Sequence, residues 1–468
     1  MRRAKQLWFR AARFRIGRSL LALCFVLTFC LGSVETFLHG AEDAADFAAV
    51  KRKFQQQFAS RKAGDRLEAV RGLKEYPNAE MVKLVIQRGF KDREEEVRQA
   101  AQDTLLSVKD NPDVCECLLE LLAKDSQRKG NLETVLPLFR VLLASNLPDA
   151  EDGLIGMIDK LTNDKVPAAA ENATLMLSEI ADGYGKRADP AEFAQLQRLT
   201  KFKAFKSEFG VRRAVVHAAM RYPTKEAVAL VFSVLADEHG EMRGDIVEFL
   251  TQVTAEKHGN DTQAWLKWWQ ENEKTYEYPK KAPPPLLRTI AAAGMGSYYG
   301  IPLYAQRMVF VIDTSGSMRG ERIVAAKRDL TNAVMALNDQ AYFTMVAFNV
   351  GTNVWSSKLL QATPQTKRGA AGWIEIQQLG PGTASFDALE VALKFDAEAI
   401  YFLTDGAPRG GKIDEPGAII QEITRRNRVH RKSIYTIGIG VGAAGNIFDV
   451  FLKTLADENY GLYRRVDE

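Results

Sequence analysis

Residues 307–318 read Arg-Met-Val-Phe-Val-Ile-Asp-Thr-Ser-Gly-Ser-Met. Five consecutive apolar residues, Met308–Ile312, end on Asp313 and are followed by a short Ser/Gly turn. Such a run predicts a strand buried on both faces of a parallel sheet. A helical pattern over Glu321–Asn338 comes next. Asp313, Ser315 and Ser317 are therefore expected on the loop leaving the carboxyl end of a central strand, the edge at which open α/β sheets bind ligands.

All three side chains are hard oxygen donors, and Gly316 lets the backbone bend between them. Oxygen donors suit Mg²⁺ or Mn²⁺ rather than Zn²⁺ or Cu²⁺, which favour nitrogen and sulfur. A capped strand–helix turn would use the same residue types, so two later stretches matter. Gly380-Pro381-Gly382-Thr383-Ala384-Ser385 is a turn cluster ahead of a helical pattern, Phe386–Phe395. Ala399–Gly406, reading Ala-Ile-Tyr-Phe-Leu-Thr-Asp-Gly, is a second buried strand that ends on Asp405.

Strand–Asp-x-Ser-x-Ser, then a loop Thr, then strand–Asp, in that order, resembles the von Willebrand factor type A domain with its metal-ion-dependent adhesion site. The resemblance covers about Arg307–Glu468. It implies Ser315, Ser317 and Thr383 as hydroxyl ligands of Mg²⁺ (or Mn²⁺), and Asp313 and Asp405 as its carboxylates. It also implies the strand order 3-2-1-4-5-6, and a partner protein whose Asp or Glu carboxylate completes the metal shell. The pattern over 307–468 supports a doubly wound, mainly parallel sheet: near-continuous apolar strands alternate with helices. The second and third strands lie close together, which predicts one antiparallel edge hairpin.

Upstream, from Glu42 to about Thr275, helical pattern follows helical pattern. Leu67–Glu96 and Arg213–Glu241 echo one another, with Tyr76-Pro77 matching Tyr222-Pro223 between two amphipathic helices. Recurrence of helix pairs every 31–40 residues is the range of helical solenoids, and the segment resembles HEAT repeats. Pro137 is expected to interrupt Leu132–Ser145. Trp265, Trp268 and Trp269 share a helical face and are expected to pack on the last hairpin or the following domain. Residues 276–306 hold Pro279 and Pro283–Pro285, a stiff linker, then Gly294–Ala305, a short strand or clasp against the sheet domain. The expected organisation is a basic leader (1–41), a helical repeat (42–275), a linker and clasp (276–306) and the sheet domain (307–468).

The net charge is +4. The first 41 residues supply +6, so the rest of the chain stands at −2. A near-neutral body excludes the concentrated basic face of a nucleic-acid binder. Leu20–Leu31 follows the basic residues as an apolar run of signal-peptide length, shorter than an ordinary membrane span. It predicts either a cleaved signal or a tilted membrane anchor, with membrane association through that segment and the body exported to the periplasm or cell envelope. The four Cys (24, 30, 115 and 117) form no disulfide framework. The five His residues are scattered without metal spacing. No base is tied by motif to the Asp313 loop, no carboxylate cluster suggests paired metals, and no phosphate loop appears. The sequence therefore reads as a binding protein, not an enzyme. Binding falls either to the metal site or to the helical repeat acting as a metal-independent scaffold.

Overall fold

The computed structural model describes residues 47–126, 132–162, 167–280, 296–441 and 445–466. The apolar run Leu20–Leu31, Cys24, Cys30 and the Pro283–Pro285 linker lie outside the described residues. By packing, the chain divides between Met157 and Ile158 into two compact units. The sequence-based boundaries at 275/276 and 306/307 fall within the second.

The first unit is helical. Its elements are α1 (47–58), α2 (Ala63–Gly72), α3 (Ala79–Arg88), α4 (Glu95–Ser107), α5 (Pro112–Asp125), α6 (Leu132–Leu143) and the start of α7 (Pro148–Thr162). Apolar residues at helical spacing supply the core: Val97, Ala101 and Leu105 of α4 are fully buried. Val97 and Leu105 each contribute about 1.5–3 kcal/mol by leaving water, and the smaller Ala101 less. Helix α5 starts as its sequence dictates, with the Asn111 side chain accepting from Val114 N–H and Pro112 at the first position. Arg66 grips Asp92 with two bonds, 2.7 and 2.9 Å, in a buried pair. The Arg66 hydrogen bond holds the Asp92 carboxyl below its usual range. Cys115 and Cys117 are free and buried. Pro137 does not interrupt its helix: α6 runs through it. Proline costs a helix its i−4 bond, yet its fixed φ is helical, and the Pro137 carbonyl accepts from the Gln102 side chain at 3.1 Å.

In the second unit, α8 (Pro167–Arg187), α9 (Phe193–Arg198), α10 (Lys203–Ser207), α11 (Phe209–Ala219), α12 (Lys225–Leu235), α13 (Gly240–Thr254) and α14 (Thr262–Asn272) precede the sheet. The Tyr-Pro echo has a local structural counterpart in both units. Asn78 caps α3 and Thr224 caps α12, each accepting from the third residue on. The two tyrosines differ, however. Tyr222 is buried against Phe193, with ring centroids 5.2 Å apart, whereas Tyr76 is partly exposed. The tryptophans of α14 pack on α12: Trp269 stacks on Phe232 at 4.5 Å, and buried Trp265 donates to the Gly259 carbonyl.

A two-stranded hairpin, β1 (Ser297–Tyr298) and β2 (Ile301–Pro302), forms a clasp ahead of the main sheet. Tyr298 meets Phe310 edge-on, and the Tyr401 hydroxyl donates to the Pro302 carbonyl. The main sheet comprises β3 (Arg307–Asp313), β4 (Tyr342–Phe348), β5 (Thr352–Val354), β6 (Leu360–Gln361), β7 (Ala399–Thr404), β8 (Ser433–Ile439) and β9 (Tyr463–Val466). Its order is β5-β4-β3-β7-β8-β9, with the short β6 also on β4. Strands β4, β3, β7, β8 and β9 run parallel, and β5 and β6 pair antiparallel with β4. This is the 3-2-1-4-5-6 order with an antiparallel edge. The predicted antiparallel edge is made of two short pieces, β5 and β6, rather than one strand. Both faces are covered. Helices α15 (Glu321–Ala336) and α16 (Pro364–Glu375) lie with the clasp on one side, and α17 (Ser385–Leu393), α18 (Pro416–His430) and α19 (Ile447–Asp457) on the other.

The helices before the sheet dock on the amino ends of its strands through buried polar contacts. Arg213 of α11 donates to Asp245, to the Arg431 carbonyl at 2.8 Å and to Ser433 Oγ at 3.0 Å. Glu241 of α13 accepts from Ser433 Oγ and from the Tyr435 hydroxyl. Arg431, held in the left-handed region at φ 51°, reaches Asp182 of α8 with two bonds. One Glu398 carboxylate oxygen accepts from the Glu241 and Gln306 backbone N–H groups at 3.1 and 3.3 Å. A helical layer therefore covers the amino edge, and these contacts leave the carboxyl edge to the loops.

Candidate metal site at the carboxyl edge

Strands β3 and β7 are neighbours, but the chain leaves them in opposite directions across the sheet: β3 leads through α15 to β4, and β7 through α18 to β8. The carboxyl ends of β3 and β7 therefore flank the topological switch point, where such sheets open a crevice. Asp313 closes β3, and Asp405 follows the last residue of β7.

The side chains there form one hydrogen-bonded chain. Asp313 Oδ1 accepts from Ser315 N–H at 2.7 Å, and its Oδ2 accepts from Thr404 Oγ1 at 2.5 Å. Ser315 Oγ and Ser317 Oγ are 2.9 Å apart, and Ser317 Oγ donates to Asp405 Oδ1 at 2.8 Å. Asp405 Oδ2 accepts from Arg322 at 3.1 Å. Asp313, Ser315 and Asp405 are buried. Thr383 stands one loop away and is not part of this chain. Its backbone pairs with Arg409, on the loop that follows Asp405. The same loop reaches the first one through Gly380, which pairs with Ser315 and donates to the Thr314 carbonyl at 2.9 Å. Gly382 at φ 74° makes the turn that presents Thr383, a conformation glycine adopts without strain. The Asn349 carbonyl, at the end of β4, accepts from Ala384 N–H.

Burial pushes the Asp313 carboxyl up to about 6, hydrogen bonds from Thr404 and Ser315 pull against that rise, and the charge of Asp405 adds to it. Two buried carboxylates of like charge, linked through two hydroxyls, fit a small hard cation between them: it would relieve both the desolvation and the repulsion. Among the described residues, no group of three or more His, Cys, Asp or Glu side chains could hold a metal ion. A site here draws its remaining donors from neutral hydroxyls. Beside it lies a cleft of about 450 Å³ lined by Thr314, Asn349, Val350 and Ile376, with the last two 61% and 70% exposed. A larger cleft of about 770 Å³, lined by Arg212, Glu238, Arg307 and Glu398, lies at the amino edge, away from these oxygens.

Sequence reading missed Arg322, Asn349, Val350 and Ile376. Arg322 looks like an ordinary helix charge until the turn after Gly320 brings it onto Asp405. The other three sit on loops whose path over the edge is set by the neighbouring strands, and no local motif marks them.

Residues 306–465 match the family model of the von Willebrand factor type A domain, so the sheet and its covering helices form a domain of that class. The chain is similar to inter-alpha-trypsin inhibitor heavy chain H3 of Mesocricetus auratus, 30% identical over 182 residues, 36% of this chain and 20% of that protein. It is also similar to inter alpha-trypsin inhibitor heavy chain 4 of Mus musculus, 29% identical over 184 residues, 36% of this chain and 19% of the relative. The chain thus spans about a fifth of the length of these relatives. Among solved structures, it is similar to a von Willebrand factor type A protein from Catenulispora acidiphila, with 25% identity, 35% of this chain and 38% of the other covered, and a TM-score of 0.31.

Proposed function

We propose that the chain is a protein-binding module whose sheet domain works through a divalent ion. Asp313, Ser315, Ser317, Thr383 and Asp405 hold Mg²⁺ or Mn²⁺, and an Asp or Glu carboxylate of a partner protein completes the shell. The observation that carries this reading is the continuous Asp313–Ser315–Ser317–Asp405 chain at the switch point, with both carboxylates buried. When bound, the ion supplies a Lewis-acidic position. The residues around it do the rest: two carboxylates offset its charge, and neutral hydroxyls orient it without quenching its attraction for an incoming anion. The sheet's amino edge, covered by α8, α11 and α13, is the mount, and the exposed Val350 and Ile376 flank the carboxyl edge as partner-facing apolar surface. Similarity to the inter-alpha-trypsin inhibitor heavy chains supports a binding role rather than catalysis.

The body acts outside the cytoplasm, exported or anchored by the segment before residue 42, and the helices before the sheet form a HEAT-like repeat. Among the described residues no helix is long and apolar enough to cross a membrane. The test is capture of a partner from envelope extract with and without EDTA, using wild type and Asp405→Ala. Capture lost in both cases supports the metal-dependent reading. Capture insensitive to both assigns binding to the helical scaffold.

A further inference from the structure

We propose that a basic cleft in the first unit binds a phosphate-type oxyanion, the charged group of a phosphomonoester or pyrophosphate compound. The site is assembled from first-unit residues alone and owes nothing to the metal site. The cleft, of about 390 Å³, opens between the turn joining α1 to α2 and the turn joining α3 to α4. Arg61, Arg66, Arg88, Lys91 and Arg93 line it against one carboxylate, Asp92. Such a concentration is unusual in a body whose charge beyond residue 41 is −2. Hydrogen bonds fix both walls. Arg66, itself buried, holds Asp92 with two bonds and donates through Nη1 to the Ser60 and Arg61 carbonyls at 3.1 and 3.2 Å. Arg93 reaches the same Arg61 carbonyl at 3.3 Å, and Asp92 accepts from Glu94 N–H at 2.9 Å. The two turns are thus tied to one another, and the cleft is held in shape before any ligand arrives.

Three of these cations have no acidic partner. Asp92 is taken by Arg66, and Arg93 lies 3.3 Å from Glu94. The side chains of Arg61, Arg88 and Lys91 are exposed and, among the described residues, make no hydrogen bond or ion pair. Like charges held around one cleft repel, and a ligand of opposite sign relieves that repulsion. Asp65 offsets part of the excess from one side, where it accepts from Ser60 Oγ at 2.6 Å. Three unpaired cations less this one carboxylate leave +2, which a phosphate dianion neutralises and a single carboxylate does not. Guanidinium forks also match the paired oxygens of a phosphate. The volume admits one such group with part of its carrier. A nucleic-acid strand would need an extended basic face instead.

The test uses the purified full chain in three forms. They are wild type, Arg61→Gln with Arg88→Gln, and Lys53→Gln with Arg71→Gln, which removes two exposed charges outside the cleft lining. Arg66 is kept because it frames the cleft. The probe is pyrophosphate, titrated by calorimetry without divalent ions, with acetate as the monovalent comparison. Wild type and the Lys53/Arg71 variant should bind pyrophosphate alike, and the Arg61/Arg88 variant at least about tenfold more weakly. Acetate should bind wild type at least about tenfold more weakly than pyrophosphate does. Flotation with phosphatidylcholine vesicles, with and without phosphatidic acid, separates the two sources of such a group. Capture that needs phosphatidic acid and falls in the Arg61/Arg88 variant assigns the phosphate to a lipid headgroup. Pyrophosphate binding without such capture assigns it to a soluble compound. Equal pyrophosphate affinity in all three proteins, an equal loss in both variants, acetate binding as tightly as pyrophosphate, or no pyrophosphate binding by wild type would overturn the site.

Discussion

Ser317 offers the cleanest reading of a single side chain. It bridges Ser315 and Asp405, so Ser317→Ala removes an oxygen and no charge. Even outer-shell partners of metal ligands are worth about 10–100-fold in affinity, and calorimetry should show Mg²⁺ weakened at least about tenfold, with the thermal midpoint nearly unchanged. An unaltered isotherm would take Ser317 out of the ion's shell. Glu398 allows a second residue-scale test, at the other edge. Burial first, and the nearby Glu241 charge, push its carboxyl up to about 7, while the Glu241 and Gln306 N–H groups and Arg307 pull it down. The folded state thus holds a proton that the unfolded state releases near 4.5. Stability from this group is complete below pH 4.5, falls as pH rises, and by pH 7 has dropped by about 3 kcal/mol. Both backbone N–H groups point at one oxygen, so Glu398→Gln keeps them. The variant should lose the decline in melting temperature between pH 4.5 and 7 that wild type shows, and an unchanged pH profile would contradict the burial argument.

At the scale of elements, the contact of α11 and α13 with the amino ends of the strands is a polar one, and its centre is Arg213. Arg213→Met would take the buried guanidinium away from the Arg431 carbonyl and from Asp245, which keeps its contact with His217. A broken buried pair costs about 3–5 kcal/mol, and urea unfolding should show a midpoint lowered accordingly; a shift under about 1 kcal/mol would mean that the docking is held by apolar contacts instead. This contact was invisible in sequence because Arg213, Glu241 and Arg431 are far apart in the chain and each sits in a helical or loop pattern where a charge is unremarked. The strands were legible, since Met308–Ile312 and Ile400–Leu403 are too apolar for any other place, and so were Asp313 and Asp405 at their ends. The edge strand was legible only in outline. Thr352–Val354 and Leu360–Gln361 are short and largely exposed, so burial leaves little pattern there. Pro137 misled for a physical reason: proline's cost is real, but α6 carries it inside an otherwise strongly apolar helix.

For the whole molecule, the uneven charge and the run Leu20–Leu31 predict export. An alkaline phosphatase fusion after Asp46 should be active in a bacterial host, and an inactive fusion beside an active cytoplasmic reporter at the same point would refute it. The layout of the second unit is compatible with that prediction: helices hold the amino edge of the sheet, and Val350 and Ile376 stand exposed at the carboxyl edge. The central claim is that a divalent ion sits between Asp313 and Asp405. The direct measurement is calorimetric titration of Mg²⁺ into wild type, Asp313→Asn and Asp405→Asn, with circular dichroism to show that all three are folded. The account predicts one ion per wild-type chain and no binding heat in either variant. Equal isotherms in all three proteins would contradict it.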